Sequence, residues 1–211
     1  MGDGTVRRSD VLRASPPMFE SRVLDALSRV HPAVPVLIFL PAIVLLAAWS
    51  LSNVSVLATA GLLVGGYAIW TLFEYWLHRL VFHFEPAEGL GARMHWIIHG
   101  VHHDHPNDPM RLVMPPAVSV PLGAGVFALM YAIAGHDYAP GLGAGFFAGY
   151  LVYDMMHYYL HHFAPRGRLG RMLRERHMRH HFQDDTKGFG ISAPYWDEVF
   201  RTSPRSKRSS Q

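Results

Sequence analysis

Four stretches of this 211-residue chain, 33–50, 54–73, 117–134 and 140–153, are apolar and close to the length that crosses a bilayer. No other feature constrains the fold as strongly, because a helix needs roughly 20 apolar residues to span the hydrocarbon. The first two stretches are joined by Leu51-Ser52-Asn53 and the last two by Gly135-His136-Asp137-Tyr138-Ala139, so they read as two helical hairpins. All nineteen Lys and Arg residues lie elsewhere, in 1–29, 79–111 and 166–208. Four crossings would put those three regions on one face, and the positive-inside rule makes that face cytoplasmic. The expected fold is all-α, an integral membrane bundle of four transmembrane helices in two hairpins with a cytoplasmic helical cap. The multi-pass chain would sit in a bacterial inner membrane or the endoplasmic reticulum.

Residues 1–17 are polar, contain Pro16 and Pro17, and are expected to be disordered. Residues 18–200 form one membrane-embedded domain including the cap, and 201–211 read as a basic tail. Between Met18 and Val30, the residues Phe19, Val23, Ala26, Leu27 and Val30 recur at helical spacing. That segment is a helix lying on the membrane surface or one packed on the protein's own soluble part. The chain has no cysteine, which excludes disulfides, thiolate metal sites and iron–sulfur clusters. Its net charge of +3 follows the edges of the apolar segments, not one helix face, so no nucleic-acid partner is expected.

Thirteen of the fifteen histidines fall in 74–116 and 154–200, the two segments that follow the hairpins. Ten of them form four groups: His78 and His83; His99, His102 and His103; His157 and His161; His177, His180 and His181. Residues three and four apart share a helix face, so three of these groups can each aim several imidazoles at one spot. His78 and His83 are five apart, and an α-helix must end or bend between them. Neutral imidazole binds iron, zinc, copper and nickel, and ten suffice for two ions with about five nitrogens each. Asp154 precedes His157 by one turn and could ligate a metal or accept the N–H of a ligand histidine; Glu74, one turn before His78, could do the same or pair with an arginine. His31, His95, His105, His136 and His162 complete no repeat.

These groups, together with Glu74-Tyr-Trp-Leu-His78, Arg111-Leu-Val-Met-Pro-Pro116 and Gly188-Phe-Gly-Ile-Ser to Trp196-Asp-Glu-Val-Phe200, resemble the fatty acid 2-hydroxylases of the fatty-acid-hydroxylase and sterol-desaturase superfamily. The resemblance covers about 70–202. It implies a non-haem di-iron centre, which can be isolated with zinc, held by the same ten histidines. That centre would use O₂ and two electrons to hydroxylate the α-carbon of a long acyl chain of a fatty acid or ceramide. Eukaryotic members often carry a cytochrome b5 domain with a His-Pro-Gly-Gly motif; here only His31-Pro-Ala-Val is present. A separate carrier, cytochrome b5-like or ferredoxin-like, would then supply electrons.

Three residues are candidates for the substrate. Arg111 could pair with a carboxylate or a phosphate headgroup, or snorkel to the interface. Tyr195 and Trp196 suit an interfacial cap over the site. Gly141, Gly143, Gly145 and Gly149 remove bulk from the fourth stretch, for close helix packing or for an acyl-tail channel. A sterol, alkane or carotenoid substrate is the alternative for the same centre. Metal transport is a lesser alternative, because no clustered histidine lies within an apolar stretch.

Overall fold

Every regular element among the described residues, 7–204 of this computed structural model, is helical. Two short helices, α1 (Arg8–Arg13) and α2 (Arg22–Leu27), precede α3 (Ala33–Asn53) and α4 (Val56–Leu77). A π-helical turn, His78–Phe82, extends α4. There follow α5 (Gly89–His95), a second π turn (Trp96–Gly100), α6 (Val101–Asp104), α7 (Pro116–His162), α8 (Arg168–Phe182) and α9 (Tyr195–Val199). Among the described residues, three helices are long and apolar enough to cross a membrane: α3, α4 with its π turn, and α7. At 21 residues, α3 is about 31 Å long, close to the thickness of the hydrocarbon. Leu37, Leu57 and Ile133 point outward at 72, 83 and 78% exposure, as lipid-facing side chains do.

The third of these, α7, has 47 residues and folds back on itself at Gly135, where φ is 73°. A Cβ added at Gly143 would strike Phe127 and one at Gly123 would meet Phe147. Those pairs are equidistant from Gly135, so the arms 116–134 and 136–162 lie antiparallel. The loop expected over Gly135–Ala139 is thus reduced to one residue, because glycine adopts a left-handed φ without the steric cost of a side chain. This turn sits beside the α3–α4 connection: Asn53 donates to the His136 carbonyl at 3.3 Å, and Trp49 packs on the His136 ring at 5.4 Å.

Backbone-to-backbone approach fixes the second arm of α7 against α4. A Cβ at Gly66 would lie 2.0 Å from the Leu142 carbonyl oxygen, and one at Gly145 2.0 Å from that of Leu63. Of the two uses open to the glycines, packing is the one observed: Gly141 abuts Leu62 and Ser50, Gly143 abuts Phe127, and Gly149 abuts Trp70. Leu62 faces Gly141 and Trp70 faces Gly149, so the helices run parallel with a constant offset. That same offset brings His78 level with His157. Phe39, Trp70, Phe146, Phe147, Tyr150 and Tyr153 fill the core between α3, α4 and α7.

Near each end, the described residues depart from expectation. Residues 7–17 are ordered: the Asn107 N–H donates to the Leu12 carbonyl at 2.9 Å, and His105 Nδ1 bonds that of Val11 at 2.6 Å. Their carbonyls are satisfied by distant residues, which no local pattern reveals. Residues 201–204 pack into the fold, with Thr202 buried and its carbonyl accepting from the Gly188 N–H at 2.8 Å. The expectations for 1–6 and 205–211 lie outside the described residues. Within 18–30 only Arg22–Leu27 is helical, capped by Ser21, with Val23, Leu24 and Leu27 exposed.

Gly145→Val forces a side chain into the Leu63 backbone and is expected to cost ~3 kcal/mol or more. Thermal unfolding in detergent should show a large fall for Gly145→Val and little change for Gly125→Val, whose added Cβ meets nothing within 4 Å.

Candidate metal centre

The ten grouped histidines converge as two sets of five, with the ligand atoms of each set within 4.8 Å of one another. His78, His83, His99, His103 and His180 form site 1; His102, His157, His161, His177 and His181 form site 2. The two His-x-x-His-His triplets are shared crosswise. In each, the first and last histidines, four apart on one helix face, serve one site and the middle one reaches the other.

The break expected between His78 and His83 is absent. The helix neither ends nor bends between them but widens: the His83 N–H bonds the His78 carbonyl at 3.1 Å, an i to i+5 contact. A π turn brings residues five apart onto one side, and such turns concentrate at functional sites. The second π turn, Trp96–Gly100, sets the phase of His99, His102 and His103 in the same manner.

The geometry fits metal ions. Nε2 atoms are paired at 3.0 Å for His83–His180 and His102–His181, 3.1 Å for His99–His103, and 2.7 Å for His161–His177. Two nitrogens each about 2.1 Å from one ion and at right angles would be about 3 Å apart. His78 Nε2 and His157 Nε2 are buried with no hydrogen-bond partner, a costly state unless an ion takes the lone pair. Burial, reinforced by neighbouring imidazoles, holds His99, His102, His177 and His181 well below the ordinary histidine range and His83 at about 3. At neutral pH these rings are therefore neutral imidazoles, the form that can ligate a metal.

A loop orients the site 1 rings. His78 Nδ1 donates to the Phe189 carbonyl at 2.8 Å and His180 Nδ1 to that of Lys187 at 2.7 Å, which turns each Nε2 toward the other histidines, where it could serve a metal. Gly188, at φ +81°, allows the chain to present both carbonyls. Asp197 secures this loop from behind: it accepts the N–H groups of Phe189 and Gly190 at 2.9 and 3.1 Å and the Thr202 hydroxyl at 2.8 Å. Thr202 in turn pairs with the Tyr75 hydroxyl at 2.9 Å. Burial raises the Asp197 carboxyl while these bonds pull it down. No role is assigned to Asp197, Thr202 or Tyr75 from the sequence alone; the signals were the positions of Tyr75 inside the Glu74-to-His78 string and of Asp197 inside the Trp196-to-Phe200 string.

Glu74 and Asp154 brace backbone segments instead of histidines. Glu74 accepts the Ser192 N–H at 2.7 Å and the Ser192 hydroxyl, clamping the same loop to α4. Asp154 accepts the Tyr150 hydroxyl at 3.1 Å and the Met114 N–H at 3.4 Å. Tyr195 and Trp196 both bond the Thr71 hydroxyl, at 2.9 and 3.2 Å, and pin α9 to α4.

A mostly apolar cavity of about 270 Å³ adjoins both sites. His99, His102 and His157 reach its wall beside Asp154, and Phe82, Val113 and Met114 are among its apolar lining. Arg111 also borders it, although its guanidinium is bonded to Asp25 and the Pro16 carbonyl.

A family model described as fatty acid hydroxylase matches residues 62–202. A dihydroceramide fatty acyl 2-hydroxylase of Arabidopsis thaliana is 41% identical over 197 residues, covering 92% of this chain and 83% of that protein. A ceramide very long chain fatty acid hydroxylase of Saccharomyces cerevisiae is 36% identical, covering 90% of this chain and 50% of its own length. The human fatty acid 2-hydroxylase is 40% identical over 151 residues, covering 67% and 39%. Among solved structures, full-length scs7p, of which only the hydroxylase domain is visible, superposes with a TM-score of 0.82 at 35% identity, covering 89% of this chain and 72% of that one. Histidine sites, helical fold and sequence agree, and the chain belongs to the fatty acid hydroxylase family.

Proposed function

We propose that this protein is an O₂-dependent hydroxylase that oxidises the C2 carbon of long acyl chains, free or within a sphingolipid, at two iron ions held by sites 1 and 2. The observation that carries the reading is the convergence of ten imidazoles, seven of them buried, in two sets of five, with His99, His102 and His157 reaching the wall of an apolar cavity. Bound iron would supply the O₂ chemistry that breaks an unactivated C–H bond, which no side chain can do. One oxygen atom enters the substrate and the other leaves as water, with two protons and two electrons consumed.

The chain's own residues supply geometry. The histidines fix the ions, the loop 187–190 holds the rings of His78 and His180, and the apolar wall keeps water from the acyl chain. Electrons come from a separate cytochrome b5-like or ferredoxin-like carrier. In the membrane, α3, α4 and the two arms of α7 make four crossings. The metal sites lie at the cytoplasmic end, where the Lys and Arg residues are concentrated, and the connections at Asn53 and Gly135 lie at the other end.

Mass spectrometry of lipids from membranes supplied with long-chain fatty acid, reductant and O₂ is expected to show 2-hydroxy product. Oxidation at another carbon, or of a sterol alone, would refute the assignment. Metal analysis should find two ions per chain, falling to about one in His180→Ala, which opens site 1, and in His102→Ala, which opens site 2. Asp197→Asn leaves at least one loop N–H poorly bonded and should weaken metal retention at site 1 about 10-fold or more against a chelator, with site 2 less affected.

A further inference from the structure

The cavity beside the metal sites is walled on one side by the N-terminal segment, which lies before residue 62, outside the span of the family match. Met18, Phe19, Leu24, Leu27 and Ser28 line it from that side. Leu24, Leu27, Ile98 and Val118 all line the cavity and are also 50, 59, 46 and 54% exposed. A residue that does both stands at the rim. This rim is aliphatic, where a mouth opening to water would be polar. A lipid chain moving sideways out of the bilayer matches it.

A buried cation fastens the segment. The Arg111 side chain is 3% exposed and donates to Asp25 Oδ1 at 2.8 Å and to the Pro16 carbonyl. Asp25 also accepts the Met18 N–H at 2.7 Å and Arg29 Nη2 at 3.2 Å. The Val30 N–H donates to the Met110 carbonyl at 2.6 Å. The segment is therefore tied at 16, 25 and 30 to residues 110–111, which lead directly into Leu112–Pro115 of the cavity wall. Helix α2 has no buried residue of its own, so these polar ties position it more than packing does.

We propose that residues 18–28 form the substrate-selecting wall of the acyl cavity, with Leu24 and Leu27 touching the chain at a lateral mouth and Arg111 as the positioning residue that holds them through Asp25. This rests on the acyl-hydroxylase reading. The Arg111 guanidinium is bonded to Asp25 and the Pro16 carbonyl, so its part in selection is to hold this segment in place.

The test uses metal-loaded full-length protein in phosphatidylcholine vesicles containing a diazirine-bearing long-chain fatty acid. Crosslinked peptides and 2-hydroxy product are read by mass spectrometry from the same samples. The wild type is expected to crosslink within 18–28. Asp25→Arg and Arg111→Asp alone should each reduce those crosslinks and raise KM about 10-fold, with a smaller effect on kcat and two metals retained; the charge-swapped double variant should recover to within about 3-fold. Leu24→Cys gives the chain a single cysteine. A bulky maleimide attached there after folding should cut crosslinking and turnover about 10-fold while metal content stays constant.

Product without crosslinks to 18–28, or a labelled Leu24→Cys protein with unchanged crosslinking and KM, overturns the proposal. A double variant no better than the singles overturns the role of Arg111. Crosslinks at 18–28 without any 2-hydroxy product overturn the acyl-hydroxylase reading instead and leave the cavity wall standing.

Discussion

His78 and His157 each bury an Nε2 that no other protein group bonds, a state a cation would relieve, and the surrounding architecture answers to this requirement. The parallel register of α4 and the second arm of α7 brings His78 and His157 to one level. The π turns rotate further rings onto the same side. The loop held by Asp197 supplies carbonyls that fix which ring nitrogen of His78 and His180 is free. Each device concerns the aim of a ring more than the strength of the fold.

The two sites share one plan. Each takes a pair from the end of a membrane-length helix (His78 and His83, or His157 and His161), the outer two histidines of one triplet, and the middle histidine of the other triplet. The plan follows chain order, since each helical hairpin is succeeded by a pair and then a triplet. Their supports differ: site 1 has two rings bonded to backbone carbonyls, whereas Nδ1 of His161, His177 and His181 in site 2 is buried without a protein partner.

The convergence of the ten grouped histidines was legible because histidine spacing reports directly on helix faces, and the membrane-length helices because composition does. What escaped was set by contacts between distant residues. The π turn at His78 is invisible to a rule built on 3.6 residues per turn, which led to an expected break. The one-residue reversal at Gly135 looked like an ordinary five-residue loop, since His136 and Asp137 are polar. Residues 7–17 have the composition of a disordered end, yet their carbonyls are bonded by Asn107 and His105, some 95 residues away. Asp197 carries no local mark that its oxygens face the amides of a loop. Helical spacing sets Glu74 and Asp154 one turn before His78 and His157, but it does not say that each would reach for Ser192 or Met114.

The crosswise sharing of the triplets has a mechanical consequence. Every ion in these sites would join at least three separate parts of the chain, and His78 is tied to His180 across about a hundred residues, a loop whose closure removes much of the entropy of an unfolded chain. In a protein without a single cysteine, the metals would do the work that disulfides do elsewhere, as reversible cross-links whose strength depends on the supply of ions. Because each triplet reaches into both sites, neither half of the chain can complete a site alone, so metal loading and assembly of the two halves become one event.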